Sequence, residues 1–216
     1  MKPQGKPDLS YDRAIALAEH DVSRETIARL DAFVALLLEW QATTNLIAPS
    51  TIRSIWTRHV ADSLQLLKFA PHARVWLDIG SGGGFPGMII AGALAPPAEV
   101  HLVESNAKKA AFLREAARIT SAPAKVHAVR IENFPQISSL RPDVVTARAL
   151  APLPKLLGYI APFMERGAQA LLLKGQDVGE ELTEASKYWR INADLVSSET
   201  DASGRILIVK GLQRLP

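Results

Sequence analysis

The 216-residue chain contains no cysteine. Disulfides, thiolate nucleophiles and thiolate metal sites are thereby excluded. Its histidines, His20, His59, His72, His101 and His127, are scattered without metal-ligand spacing, so no metal is expected. No run approaches the roughly 18 to 20 uncharged apolar residues that cross a bilayer. The opening MKPQGKPDLSYDR lacks the apolar segment of a secretion signal. The expectation is a cytoplasmic monomer with no membrane partner. Aromatic residues are sparse, and none forms a stacking ladder among the basic ones.

What is present is unevenly distributed. The net charge of +3 is modest. Between residues 105 and 130, however, Lys108, Lys109, Arg114, Arg118, Lys125 and Arg130 face Glu115 alone. Between residues 176 and 201 the balance reverses, with Asp177, Glu180, Glu181, Glu184, Asp194, Glu199 and Asp201 against Lys187 and Arg190. One end would attract a polyanion and the other repel it. Two solvated helix faces would have the same composition.

The first seventy residues read as helices. In SRETIARLDAFVALLLEWQATT, Ile27, Leu30, Phe33 or Val34, Leu37 and Trp40 recur at helical spacing behind a candidate N-cap, Ser23. STIRSIWTRHVADSLQLLKF repeats the pattern, and NLIAPS breaks the two apart. A shorter helix is expected over 10–20. From residue 74 short β-rich runs alternate with helical ones: RVWLDI, EVHLVE, KVHAVR, DVVTAR and AQALLLK. RINADLV and RILIVK follow with only SETDASG between them, which reads as a hairpin. The expected fold class is α/β, a Rossmann-like, seven-stranded, mostly parallel sheet with a terminal antiparallel hairpin. Residues 1–73 form a helical extension packed on a core over 74–216.

Five glycines stand within residues 80–87, directly after RVWLDI. In an open parallel sheet, ligands bind beyond the carboxyl ends of the strands. Gly82, Gly84 and Gly87 fit the dinucleotide pattern, but Gly82 comes two residues after the strand should end. Asp78, Gly80, Gly82 and Gly84 fit a second register that begins where the strand stops. Asp78 is expected to face the crevice, where an anion would repel a diphosphate and suit a methionyl ammonium. The other reading of Asp78 is a carboxylate that only ties down loop amides. Glu104 closes the second strand and suits the two hydroxyls of a ribose. No Gly-Lys-Ser/Thr follows the glycines, which argues against nucleotide triphosphates. Asp78, the glycines and Glu104 together favour S-adenosylmethionine.

EWQATTNLIAPS, RHVADSL, LDIGSGGGFPGMIIA, VESNAKKAAFLREAA, RIENF, TARALAPL and LLLKGQ occur in one order across residues 39–176. In these the chain resembles the bacterial small-subunit rRNA guanine-N7 methyltransferases, also called glucose-inhibited division protein B. The resemblance implies a Rossmann-like methyltransferase that uses S-adenosylmethionine and modifies N7 of a guanine in 16S rRNA. Its partner would be 16S rRNA or a small-subunit particle. The cofactor contacts it implies are Gly80, Phe85, Ile131, Glu132 and Arg148. The chain departs from many members in the loop, where Phe85 replaces leucine, and from some at Glu104, where they carry aspartate.

Guanine N7 carries a free lone pair and no proton, so no general base is expected, and catalysis rests on alignment. Candidate substrate-handling residues are Asn45, Arg58, His59, Asp62 and Ser63, with Arg148 and Lys174 at later strand ends. His59, Asp62 and Ser63 share one face if the segment is a helix. The same cluster would equally brace the N-terminal helices. RNA-binding candidates are Arg58, Lys108, Lys109, Arg114, Arg118 and Lys174. The rival functions are a small-molecule methyltransferase, a nicotinamide-dependent oxidoreductase and a non-catalytic assembly factor.

Overall fold

A computed structural model describes residues 7–216; the first six residues of the expected extension lie outside the described residues. Ser23 opens the second helix as its spacing predicts, its side chain accepting from the Thr26 N–H at 3.1 Å. That helix, α2, spans Arg24–Gln41 and follows α1, Ser10–Ala18. The next segment is helical but changes pitch. Pro49–Ser54 is a 3-10 turn, Trp56–Ala61 widens to a π-helix, α3 occupies Asp62–Leu64, and Gln65–Phe69 tightens again to 3-10. The uniform helix expected over this stretch is therefore corrected. Asp12 holds the widened part from outside, its carboxylate accepting from the Trp56 and Thr57 N–H groups at 2.8 and 3.2 Å.

Seven strands follow: β1 Val75–Ile79, β2 Glu99–Val103, β3 Ala124–His127, β4 Val144–Arg148, β5 Gln169–Lys174, β6 Trp189–Ser197 and β7 Arg205–Arg214. They lie in the order β3-β2-β1-β4-β5-β7-β6. All neighbours through β5 are parallel, and β7 runs against both β5 and β6. The terminal hairpin therefore inserts its last strand into the sheet. Strand order reverses between β1 and β4, the place where such sheets bind ligands.

The helices between strands are α4 Gly87–Ala93, α5 Ala107–Thr120, α6 Phe134–Ile137, α7 Leu153–Met164 and α8 Val178–Ala185. Side chains alternate across the sheet. Trp76, Val100, Val144 and Leu171 pack with Leu30, Phe33, Phe85 and Phe112, on the face covered by the N-terminal helices, α4 and α5. Leu77, Val103, Val145 and Leu172 face the opposite way, against Leu153, Leu157 and Ile160 of α7. Asp78 and Thr146 have the parity of Trp76 and Val144. They are thereby directed into the first of these layers.

Candidate active site

The glycine loop turns tightly over the end of β1. Gly82 sits at φ +52°, and a Cβ built on it would meet no atom closer than the Gly80 carbonyl at 3.7 Å. Its missing side chain leaves open space above the loop. Gly87 does the opposite job at the start of α4. A Cβ there would lie 2.3 Å from Leu102 Cδ2 and 2.7 Å from Asp78. Glycine lets the helix settle onto the strands.

Asp78 lies under the loop, not on the crevice wall, which corrects the expectation that it faces a ligand. It is buried. One oxygen accepts from Thr146 Oγ1 at 2.8 Å and the other from the Gly87 N–H at 3.3 Å. Burial raises its pKa to about 6, against the opposing hydrogen bonds and the charge of Arg148. The carboxylate still argues against a diphosphate, for a different reason. It takes up an amide at the start of α4 from below, where a dinucleotide site would present helix amides to phosphate.

Glu104 is placed as its spacing predicts. Its Oε2 accepts from the Gly82 N–H at 2.8 Å and its Oε1 from the Asn106 N–H at 2.7 Å. Both oxygens keep a second lone pair. The cavity beside it measures about 510 Å3, within the roughly 300–1,000 Å3 of small-molecule sites. Gly80, Gly82, Phe85, Glu104, Ile131, Glu132 and Arg148 all line it. Gly84 does not, although its φ of +89° helps turn the loop. Sequence reasoning missed Leu150, Lys155 and Tyr159 on the same wall. Tyr159 donates its hydroxyl to Glu132 at 2.9 Å, a pairing that joins α7 to the turn after β3.

A second cavity, about 460 Å3, adjoins the first. The two share Leu46, Arg148 and Ala149. Arg58, His59, Asp62 and Lys174 line the second, together with Ser198, Asp201 and Ser203 from the β6–β7 loop. Arg148 stands at the seam. Its guanidinium lies 5.0 Å from the Phe85 ring centre and 3.8 Å from Asp62 Oδ2. Burial lowers its pKa while Asp62 and Asp78 pull it back up, and a guanidinium stays charged under such shifts. His59 stacks on Phe85 at 4.8 Å. Burial, then the charges of Arg148 and Arg58, push its pKa down to about 3, so it works as a neutral ring.

Several expected residues have other jobs. Ser63 is buried and donates its hydroxyl to the His59 carbonyl at 2.6 Å. Asn45 is exposed and lines neither cavity. Lys174 is mostly buried and paired with Glu181 at 2.6 Å, which corrects its reading as a free phosphate anchor. Arg58 is paired with Asp201 and Arg118 with Glu115. Lys108 and Arg114 are exposed on α5, while Lys109 lines the first cavity. The β6–β7 loop went unnoticed as a site element. Asp62 Oδ1 accepts from Thr200 Oγ1 at 3.0 Å and Ser198 Oγ at 3.3 Å, and Lys68 pairs with Glu199 at 2.6 Å.

Residues 26–211 match the family described as rRNA small subunit methyltransferase G. A protein named ribosomal RNA small subunit methyltransferase G from Bradyrhizobium sp. strain BTAi1 is 58% identical over 208 residues, 95% of this chain and 94% of that protein. One of the same name from Bradyrhizobium sp. strain ORS 278 is 56% identical over 220 residues, covering 99% of each chain. Among solved structures, an O-methyltransferase from Bacillus cereus in complex with SAH aligns with a TM-score of 0.61 at 14% identity, over 94% of this chain and 98% of that one. The O-methyltransferase TomG from Streptomyces achromogenes, in complex with SAM, gives 0.61 at 13% identity, over 94% and 96%. At these identities the structural likeness concerns the fold.

Proposed function

The chain belongs to the GidB family of small-subunit rRNA methyltransferases, and on that premise we propose that it transfers a methyl group from S-adenosylmethionine to N7 of a guanine in 16S rRNA. The observation that carries this reading is the seam at Arg148 and Ala149, where a cofactor-sized cavity opens beside a second one lined by Arg58, His59 and Asp62. A donor held in the first and a base held in the second would meet there. The sulfonium supplies an activated methyl group when bound.

The residues of the first cavity fit this cofactor. Glu104 offers acceptor lone pairs to a ribose diol. Ile131 supplies an apolar surface for one face of an adenine. Gly82 leaves room for the methionyl chain. The protein's further task is alignment, because N7 needs no deprotonation before it attacks. His59 is held neutral and packs on Phe85, so it shapes the wall without exchanging a proton. Arg148 places fixed hydrogen-bond donors at the seam, where they would orient the reacting base.

In A-form RNA the deep, narrow major groove conceals N7. The target guanine must therefore lie in a loop or be turned out of its stack. Lys108 and Arg114 offer exposed charge for the flanking phosphates. The partner is 16S rRNA, free or within a small-subunit particle. Among the described residues no helix is long and apolar enough to cross a membrane.

Tritiated-methyl transfer to small-subunit particles lacking the modification tests the proposal. Nucleoside analysis should recover the label as 7-methylguanosine. Label on another atom or base would contradict the substrate assignment, and label on a small molecule alone would favour the small-molecule reading.

A further inference from the structure

Asp62 and Arg148 stand 3.8 Å apart, Oδ2 to Nη1. That is too long for a direct hydrogen bond. Asp62 Oδ1 is fully engaged, accepting from Gln65 Nε2 at 2.8 Å, Thr200 Oγ1 at 3.0 Å and Ser198 Oγ at 3.3 Å. Oδ2 has no hydrogen bond among the described residues. Among the described residues Arg148 makes one long bond, from Nη1 to the Arg58 carbonyl at 3.4 Å. A donor and an acceptor, both charged and mostly buried, thus stand side by side with bonding capacity to spare.

Their order matters. Arg148 lines both cavities, whereas Asp62 lines only the second. Moving away from the cofactor cavity, a base would meet the donor first and the acceptor second. Around a guanine, the groups after N7 run O6, an acceptor, then N1–H and N2–H, donors. With N7 at the seam, O6 falls against Arg148 and N1–H against Asp62. Adenine presents the reverse, an amino donor and then a bare N1. It would set like against like at both positions.

Resting on the activity proposed above, we propose that the Asp62–Arg148 pair reads the O6/N1–H edge of the target guanine in the second cavity and thereby makes the enzyme select guanine over adenine. The pair accepts inosine, which keeps O6 and N1–H. The 2-amino group is not required. Loop residues Ser198 and Thr200 act as positioning residues, turning Oδ2 towards the base by occupying Oδ1.

The test measures methyl transfer to unmodified small-subunit particles by the wild-type protein, Asp62→Asn and Thr200→Val, with GMP, IMP and AMP as competitors. Wild-type transfer should be inhibited by GMP and IMP at concentrations at least about tenfold below AMP. Asp62→Asn should lower kcat/KM by about 50-fold and erase the preference for GMP over AMP, with adenosylhomocysteine affinity kept within about twofold. Thr200→Val should cost less than about fivefold and retain the preference. Equal inhibition by the three nucleotides, or none, would overturn the proposal. So would an Asp62→Asn rate close to wild type, or a lowered rate with the preference intact, which would make Asp62 a purely structural residue. Absence of transfer by the wild-type protein would instead overturn the activity itself.

Discussion

The Nε2 atom of His59 lies 2.8 Å from Thr51 Oγ1, and that hydroxyl spends its single proton on the Ala48 carbonyl, also at 2.8 Å. Nε2 must therefore carry a proton and donate it. Nδ1 is left as a bare, buried acceptor without a partner among the described residues. The network fixes both tautomer and charge. Nitrogen NMR should show one unchanging neutral tautomer between pH 5 and 8. A His59 ring titrating near its ordinary value would contradict the arrangement.

Asp78 and His59 act in opposite directions on acid stability. His59 ionises at about 3 in the native protein and at about 6.5 unfolded. Between those values only the unfolded chain binds the proton, so stability falls as pH drops. Asp78 is raised from 3.8 to about 6. In that interval the native protein binds the extra proton, so Asp78 adds stability as pH drops. Asp78→Asn removes this offset. Urea unfolding from pH 7 to 4 should show the variant losing about 2 kcal/mol more than wild type. Parallel curves would contradict the assignment.

Two glycine substitutions should separate packing from binding. Gly87→Ala forces a methyl group against Leu102 and Asp78 and should cost about 2–3 kcal/mol in denaturant unfolding. Gly82→Ala places its methyl group in open space, at a left-handed φ. It should cost about 1–2 kcal/mol and chiefly weaken adenosylhomocysteine binding. The reverse ranking in stability would contradict these roles.

Lys108 and Arg114 offer exposed charge on α5, whereas Arg118 and Lys174 are paired with carboxylates. RNA affinity measured against salt should fall more shallowly for Lys108→Ala and Arg114→Ala, by about one unit of log–log slope each. Arg118→Ala and Lys174→Ala should leave the slope near wild type. Equal effects at all four positions would contradict this division.

The periodicities made the fold legible. Short β-rich runs such as RVWLDI and DVVTAR, alternating with helical segments, marked parallel strands covered on both faces, and Ser23 announced α2. Strand parity already held the direction of Asp78, since it shares the parity of Trp76. Chemical type outweighed parity in the expectation, and the carboxylate was placed in the crevice. Glu104 was legible because strand end and loop are close in sequence. Its Gly82 contact spans only 22 residues. The second cavity was half legible. RHVADSL supplied one wall, but its other wall comes from the β6–β7 loop. The bond from Thr200 to Asp62 spans 138 residues, and neither end signals the other. Nor does side-chain spacing reveal the π-helical turn at Trp56–Ala61, whose contacts with Asp12 and Phe85 come from distant parts of the chain.

The central claim is that the cavity at the ends of β1, β2 and β4 takes an adenosyl sulfonium. Calorimetric titration of the purified protein tests it most directly. One adenosylhomocysteine should bind per chain, with the affinity sharply reduced by Glu104→Ala and NADH giving no heat. Saturable NADH binding without any response to adenosylhomocysteine would contradict the account.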